Sequence, residues 1–196
     1  MSEEIDIRGD WSQLDAFANR LLDSSGLWHI AGVRTLHRVG RGGKTLTGRA
    51  IRVVYTLKAK TVNERLRVNK SSISALEIFI EPTAKGYHAL SLQHFKGRPK
   101  KPTVRRPRQG VFAQVRKDGG GYLPDAFVAA MSGDSVGVYE REGDERLPIK
   151  KKYGPSVAGM MRDVGARREV VPELERRLVE RLRHESDWVL KKAGLL

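Results

Sequence analysis

Leu76-Glu77-Ile78-Phe79-Ile80-Glu81 is the stretch that decides the fold class. Leu76, Ile78 and Ile80 alternate with Glu77, Phe79 and Glu81, which is the two-residue period of a strand with one buried face. Apolar residues on its N-terminal side recur at helical spacing instead, and from Pro155 onward the helical spacing returns. A chain that passes from helix to strand to helix, without regular alternation, is predicted to be α+β. The expected architecture is N-terminal helices, a central antiparallel β-sheet with hairpins, and a long C-terminal helix.

Toward the N-terminus, Leu14, Phe17, Ala18, Leu21 and Leu22 predict a helix over 10–23, capped by Asp10 or Ser12 and ended by Ser24-Ser25-Gly26. Leu27, Ile30, Ala31, Val33 and Leu36 predict a second helix over 27–39. Gly40-Arg41-Gly42-Gly43 reads as a break, and Leu46, Ala50, Val53, Val54 and Leu57 as a third helix over 45–57. Thr61 is placed to cap a short fourth one from Val62 to Leu66. Between Arg34 and Lys70 stand eleven Lys or Arg residues and one acid, Glu64, so these helices carry a basic outer face.

Toward the C-terminus, Pro82 to Gly86 reads as a turn and Tyr87 to Phe95 as the hairpin partner of the 76–81 strand. Lys96 to Arg108 combines Lys96, Arg98, Lys100, Lys101, Arg105, Arg106 and Arg108 with three prolines, which predicts an extended basic arm. A strand is expected from Val111 to Lys117, with Gly119-Gly120-Gly121 as the turn after it. Val136 to Arg141 alternates, Glu142-Gly143-Asp144-Glu145 forms a tip, and Leu147 to Lys152 returns. Helix resumes at Val157 to Met161 and then from about Pro172 to Ala193, with Pro172 at a first-turn position and Gly194 just past the end. Val171, Leu174, Leu178, Leu182 and Val189 form its narrow apolar stripe, surrounded by five acids and six bases. Four regions follow: 1–26, an N-terminal helix; 27–70, a basic helical region; 71–154, an antiparallel β core with the basic loop 96–108; and 155–196, a C-terminal helical region.

The 196 residues hold 37 Lys or Arg against 23 Asp or Glu, a formal charge of +14. Charge of this size destabilises a lone compact chain and points to a surface that faces nucleic acid, acidic protein or anionic membrane. No apolar run approaches the roughly 20 residues of a spanning helix, and the acidic start Met1-Ser2-Glu3-Glu4 does not read as a signal peptide. With no cysteine there is neither a disulfide framework nor a thiolate metal site, as suits a reducing cytoplasm. Asn69-Lys70-Ser71 is a chance sequon in that setting.

Catalytic patterns are weak. Gly40 to Thr45 ends like a phosphate-binding loop, but the first glycine of that motif would fall at Arg38. His29, His37, His88, His94 and His184 are too scattered for a zinc site. No serine occupies a nucleophile elbow. No catalytic residue, cofactor or metal is expected. The basic segments lack zinc-finger spacing, and Trp11, Trp28 and Trp188 do not interleave with them, so any contact with nucleic acid would be to the backbone.

A family resemblance attaches to Gly110 to Met161. Pro124, Ala126 and Phe127 are followed by Val138, Tyr139 and Arg141, then by Arg146-Leu147-Pro148-Ile149 and Tyr153-Gly154-Pro155-Ser156. This succession resembles the phage minor tail protein Z family, the lambdoid tail completion or head–tail joining proteins. Leu57 to Lys60 with Val62, Arg65 and Leu66, and the charged C-terminal helix, are similar to it too, so that the likeness spans roughly residues 28–190. It implies a virion protein of the tail or neck, present in the host cytoplasm during assembly. Its partners would be copies of itself in a ring, such as a hexamer, together with tail terminator, tail tube or neck proteins, and no membrane. Tyr139, Arg141, Arg146, Leu147, Pro148, Ile149, Tyr153, Gly154 and Pro155 are the expected oligomer or partner interface. The arm from Lys96 to Arg108 is the expected contact with genomic DNA or a partner. The alternatives are a sequence-independent nucleic-acid-binding protein, and an enzyme with a pocket of convergent titratable groups.

Overall fold

The computed structural model describes residues 5–6, 26–70, 77–97, 110–131, 135–143, 145 and 147–194. Two long helices dominate it. Helix α1 runs from Leu27 to Val54, and helix α5 from Val164 to Lys192. At 1.5 Å per residue each is about 40 Å long, and they pack against each other along much of that length. Leu36, Val39, Ala50 and Ile51 of α1 and Val170, Leu174 and Leu178 of α5 are buried in one core.

The two helices predicted over 27–39 and 45–57 are therefore a single helix, and the expected break at Gly40 to Gly43 is corrected to its middle. Glycine is a poor helix former, but here it answers a packing requirement. A Cβ on Gly40 would lie 2.2 Å from Ile78 Cδ1, and one on Gly43 would lie 2.5 Å from Ile80 Cδ1 and 3.1 Å from Leu174 Cδ2. The two glycines let α1 sink onto the strand that carries Ile78 and Ile80. Gly42 points elsewhere, with only Arg177 Nη1 nearby, at 3.6 Å.

That strand is β3, Ile78–Pro82, the centre of a three-stranded antiparallel sheet flanked by β1 (Ile5–Asp6) and β2 (Leu66–Lys70). Its partner is β2, with Val68 opposite Ile80, and not the Tyr87–Phe95 segment. The short helix expected from Val62 to Leu66 is shifted to α2, Ala59–Asn63, which puts Thr61 inside it. Glu81, expected on the solvent face, is buried beneath its cross-strand neighbour Arg67, whose Nε donates to Glu81 Oε1 at 2.6 Å.

Tyr87 to Phe95 breaks into pieces: the end of α3 (Ala84–Tyr87), strand β4 (Leu90–Ser91) and a 3-10 turn, Leu92–His94. Gly86 explains the tight path, since a Cβ there would meet the Arg65 carbonyl oxygen at 2.5 Å. Leu90, Leu92 and Phe95 are all buried, so they wedge into the core and do not alternate.

Two further three-stranded sheets follow. In the first, β5 (Lys96–Gly97), β6 (Val111–Arg116) and β7 (Gly119–Leu123) lie in that order. Arg116 pairs with Gly119, so the turn is Lys117-Asp118 and the three glycines open β7, a correction to their predicted place. In the second, β9 (Ser135–Arg141) is central between β8 (Ala126–Met131) and β10 (Ile149–Lys151). The predicted hairpin pairs Arg141 with Ile149 and Tyr139 with Lys151. Strand β11 (Tyr153–Gly154) then crosses to pair with β4.

The end of α1 is joined to β6 by backbone bonds. Lys117 N donates to Val54 O at 2.8 Å, and Thr56 N to Val115 O at 3.1 Å. Tyr55 Oη donates to Asp163 Oδ2 at 2.9 Å, and Arg116 Nη1 reaches the same oxygen at 2.8 Å, which ties in the junction between α5 and the short helix before it. That short helix, α4 (Val157–Arg162), is capped by Ser156, whose Oγ accepts from Gly159 N at 3.1 Å.

Helix α5 begins at Val164, eight residues before Pro172, so the expected start at that proline is corrected. Pro172 forgoes one amide hydrogen bond, while buried Val170 and Leu174 on either side hold the helix to the core. Gly194 closes the helix with φ +72, the left-handed cap its position predicted. The helix predicted over 10–23 lies outside the described residues.

The three central glycines of α1 should respond differently to alanine. Gly42→Ala is expected to gain about 0.5–1 kcal/mol from helix propensity. Gly40→Ala and Gly43→Ala are expected to lose about 1 kcal/mol or more through overpacking. Thermal unfolding of the three variants checks this ordering, and a stabilised Gly43→Ala would contradict it.

Candidate interaction surfaces

The hairpin residues expected at an interface divide into inward and outward groups. Tyr139 is only 6% exposed, and its ring lies 6.2 Å from that of Phe127 across the β8–β9 pair. Gly154 sits under Phe95, where a Cβ would be 2.6 Å from the ring. Ile149 and Pro155 are half-buried. Arg141 lies over the Phe127 ring at 5.3 Å and donates to the Glu145 carbonyl oxygen at 3.3 Å. Leu147 is 64% exposed and Tyr153 55% exposed, with Pro148 exposed beside Leu147. Arg146 lies outside the described residues.

Acid and base on this hairpin meet across its own strands. Lys150 Nζ is 3.6 Å from Glu142 Oε1, and Lys152 pairs with Glu140. Lys151 lies over both Tyr139 and Tyr153, 5.9 and 5.8 Å from their ring centres. The three lysines thus brace the hairpin's acids and aromatic rings. Beside it a cleft of about 500 Å³ is lined by Asp125, Phe127, Glu140, Arg141 and Glu142 among others.

Of the basic arm, Lys96 is exposed on β5, and its backbone amide donates to Thr56 Oγ1 at 3.1 Å. Arg98, Lys100, Lys101, Arg105, Arg106 and Arg108 lie outside the described residues. Gly40 to Thr45 is helical, so it has no loop with which to wrap phosphates. Among the described residues no group of three His, Asp or Glu is arranged to hold a metal ion, and no helix is long and apolar enough to cross a membrane. Burial, with help from Arg65 and Lys151, holds the His94 imidazole below its ordinary range.

A second charged surface escaped the sequence. Glu185 of α5 is 1% exposed, and three guanidiniums converge on it. Arg34 Nε donates to Oε2 at 2.7 Å, Arg38 Nε lies 3.2 Å from Oε1, and Arg181 Nη2 lies 3.0 Å from Oε1. Arg34 also stacks over Trp188 at 4.1 Å. Above this cluster, α1 and α5 flank a groove of about 500 Å³ whose rim carries Arg38, Arg41, Arg177, Arg181 and His184 together with one acid, Glu180. One turn away, Glu173 accepts from Arg176 and Arg177, whose hydrogen bonds hold its carboxyl down to about 2. The signal was present as Arg34, Arg38 and Arg41, one helical face, matched by Arg177, Arg181 and His184 on another. The predicted break at Gly40 separated Arg41 from its neighbours.

Burial is the largest influence on Glu185 and raises its pKa. The Arg34 hydrogen bond and the charges of Arg34, Arg181 and Arg38 together outweigh it, so the net shift is downward. No protein family, curated protein or solved structure matches the chain.

A carboxylate depressed on folding contributes stability above its unfolded value, 4.5, and loses it as pH falls through the folded value. Glu185→Gln is expected to cost about 1–3 kcal/mol at neutral pH, because hydrogen bonds to a charged group are lost while the partly exposed arginines turn to water. The difference between variant and parent should shrink as pH falls below 4.5. Urea unfolding at pH 7 and pH 3.5 measures it, and a pH-independent difference would contradict the assignment.

Proposed function

We propose that the chain is a structural tail completion protein of a tailed bacteriophage or prophage, and that it performs no chemistry. It would form an oligomeric collar at the head-proximal end of the tail and make that end competent for head joining. The observation that carries this proposal is the hairpin from Val136 to Lys152 with the strand β11 that follows it. Its sequence holds the family-like Arg146-Leu147-Pro148-Ile149 and Tyr153-Gly154-Pro155-Ser156 strings. Tyr139 is buried and Gly154 is half-buried under Phe95, while Leu147 and Tyr153 stand out in solvent. Exposed apolar side chains on a braced strand frame suit a repeated head-to-tail contact between identical copies. A charge of +14 supports assembly in company with acidic partners or with DNA.

The same charge favours a second reading, a sequence-independent nucleic-acid-binding protein that acts outside any particle. The two differ in where the molecule ends up. Electron microscopy of assembled particles carrying a tagged chain is expected to show a ring of density where the tail meets the head. Particles that complete and join without the chain would overturn the proposal. Leu147→Glu with Tyr153→Glu is expected to abolish the ring in sedimentation and leave the monomer's melting temperature within about 2 °C, since surface changes seldom exceed ±0.5 kcal/mol.

A further inference from the structure

We infer that the groove between α1 and α5 is a phosphate-binding site for the backbone of a nucleic acid. Three features of the groove point to this. The first is surplus charge. Arg34, Arg38, Arg41, Arg176, Arg177 and Arg181 crowd this end of the helix pair, where the three acids paired with them are Glu173, Glu180 and Glu185. Each acid is already engaged: Glu185 below the groove by Arg34, Arg38 and Arg181; Glu173 by Arg176 and Arg177; Glu180 by Arg176. Arg41 is exposed and has no ion pair among the described residues.

The second feature is orientation. Glu185 and Glu173 grip Arg34 and Arg177 through Nε. Arg177 Nη1 is the nearest atom to the space above Gly42, so this guanidinium edge faces the groove. Guanidiniums held in this way present N–H forks ready for phosphate oxygens, with less side-chain freedom to lose on binding. Gly42 and Val39 leave the groove without polar groups of their own between the two rows.

The third feature is length. The groove runs from Arg177 to His184 on α5, seven residue steps or about 10 Å of helix, and faces Arg38 to Gly42 on α1. That is too long for one phosphate. Each strand of duplex DNA carries one phosphate per about 3.4 Å of axis, so about three phosphates of one backbone would pass such a span. The groove therefore suits a run of phosphodiesters. This inference does not depend on the tail proposal, because a chain that coats nucleic acid in any setting would use the same groove.

The test is binding of the full chain to a short fluorescent duplex of random sequence, followed by anisotropy between about 50 and 200 mM salt. Arg41→Gln with Arg177→Gln is expected to weaken binding about tenfold and to reduce the slope of log affinity against log salt by about two. These residues are chosen because neither touches buried Glu185. Gly42→Glu is the independent variant: it adds an acid to the groove at a helical position with room for a Cβ, 3.6 Å from Arg177 Nη1. It is expected to keep the parent's melting temperature or exceed it, and to weaken duplex binding by a similar factor. Arg49→Gln with Lys58→Gln removes two exposed charges elsewhere and is expected to change affinity by less than about threefold. Equal losses in both double variants, or an unchanged affinity in Gly42→Glu, would overturn the site. Displacement of the duplex by inorganic phosphate at matched ionic strength, or by polyglutamate at matched charge, would also overturn it. The first result would mean a small-anion site, and the second a dock for acidic protein.

Discussion

Helix α1 must touch a sheet on one side and a second long helix on another, and both contacts depend on the missing side chains at Gly40 and Gly43. Ile78 and Ile80 of the central strand fill the space those glycines leave, and Leu174 of α5 closes over Gly43. Close approach then buries Leu36, Val39, Ala50 and Ile51 together with Leu66 and Leu178 in one continuous core. The cost in helix propensity, about 1 kcal/mol per glycine, is set against burial of side chains worth about 1.5–3 kcal/mol each.

The electrostatic arrangement follows from the same geometry. Bringing α1 and α5 together forces several arginines side by side, and a single carboxylate at Glu185 is placed beneath them. Its burial is unfavourable on its own account, and its three partners reverse that sign. What remains above is the groove rimmed by Arg38, Arg41, Arg177 and Arg181, with Glu180 beside them. Elsewhere the positive charge is handled differently: on the β9–β10 hairpin lysines are matched with acids across strands, and at Tyr55 the Arg116 side chain shares Asp163 with a phenol.

Much of the architecture was legible from periodicity. The α+β class, the strand around Ile78 and Ile80, the β9–β10 hairpin, the short helix after Ser156 and the Gly194 cap all follow from local pattern, because in each case local preference and burial agree. Reading failed where they disagree. Gly40 to Gly43 look like a break because propensity knows nothing of Ile78. Pro172 looks like a helix start because its lost hydrogen bond is local while the anchoring by Val170 and Leu174 is not. Strand β2 is five residues long and basic, so its alternation of Leu66 and Val68 with Arg67 and Asn69 was absorbed into the preceding helix. The arginine groove was hidden by the same glycines, since it needs Arg34, Arg38 and Arg41 on one uninterrupted face.

The splice between α1 and β6 has a mechanical meaning. The carbonyl of Val54 receives the amide of Lys117, and Thr56 continues onto Val115, so the hydrogen-bond ladder of the rod runs on into the blade with no slack loop between them. A pull on the β6–β7 blade would then arrive directly at the C-terminal end of α1, the helix that also carries the seam with α5.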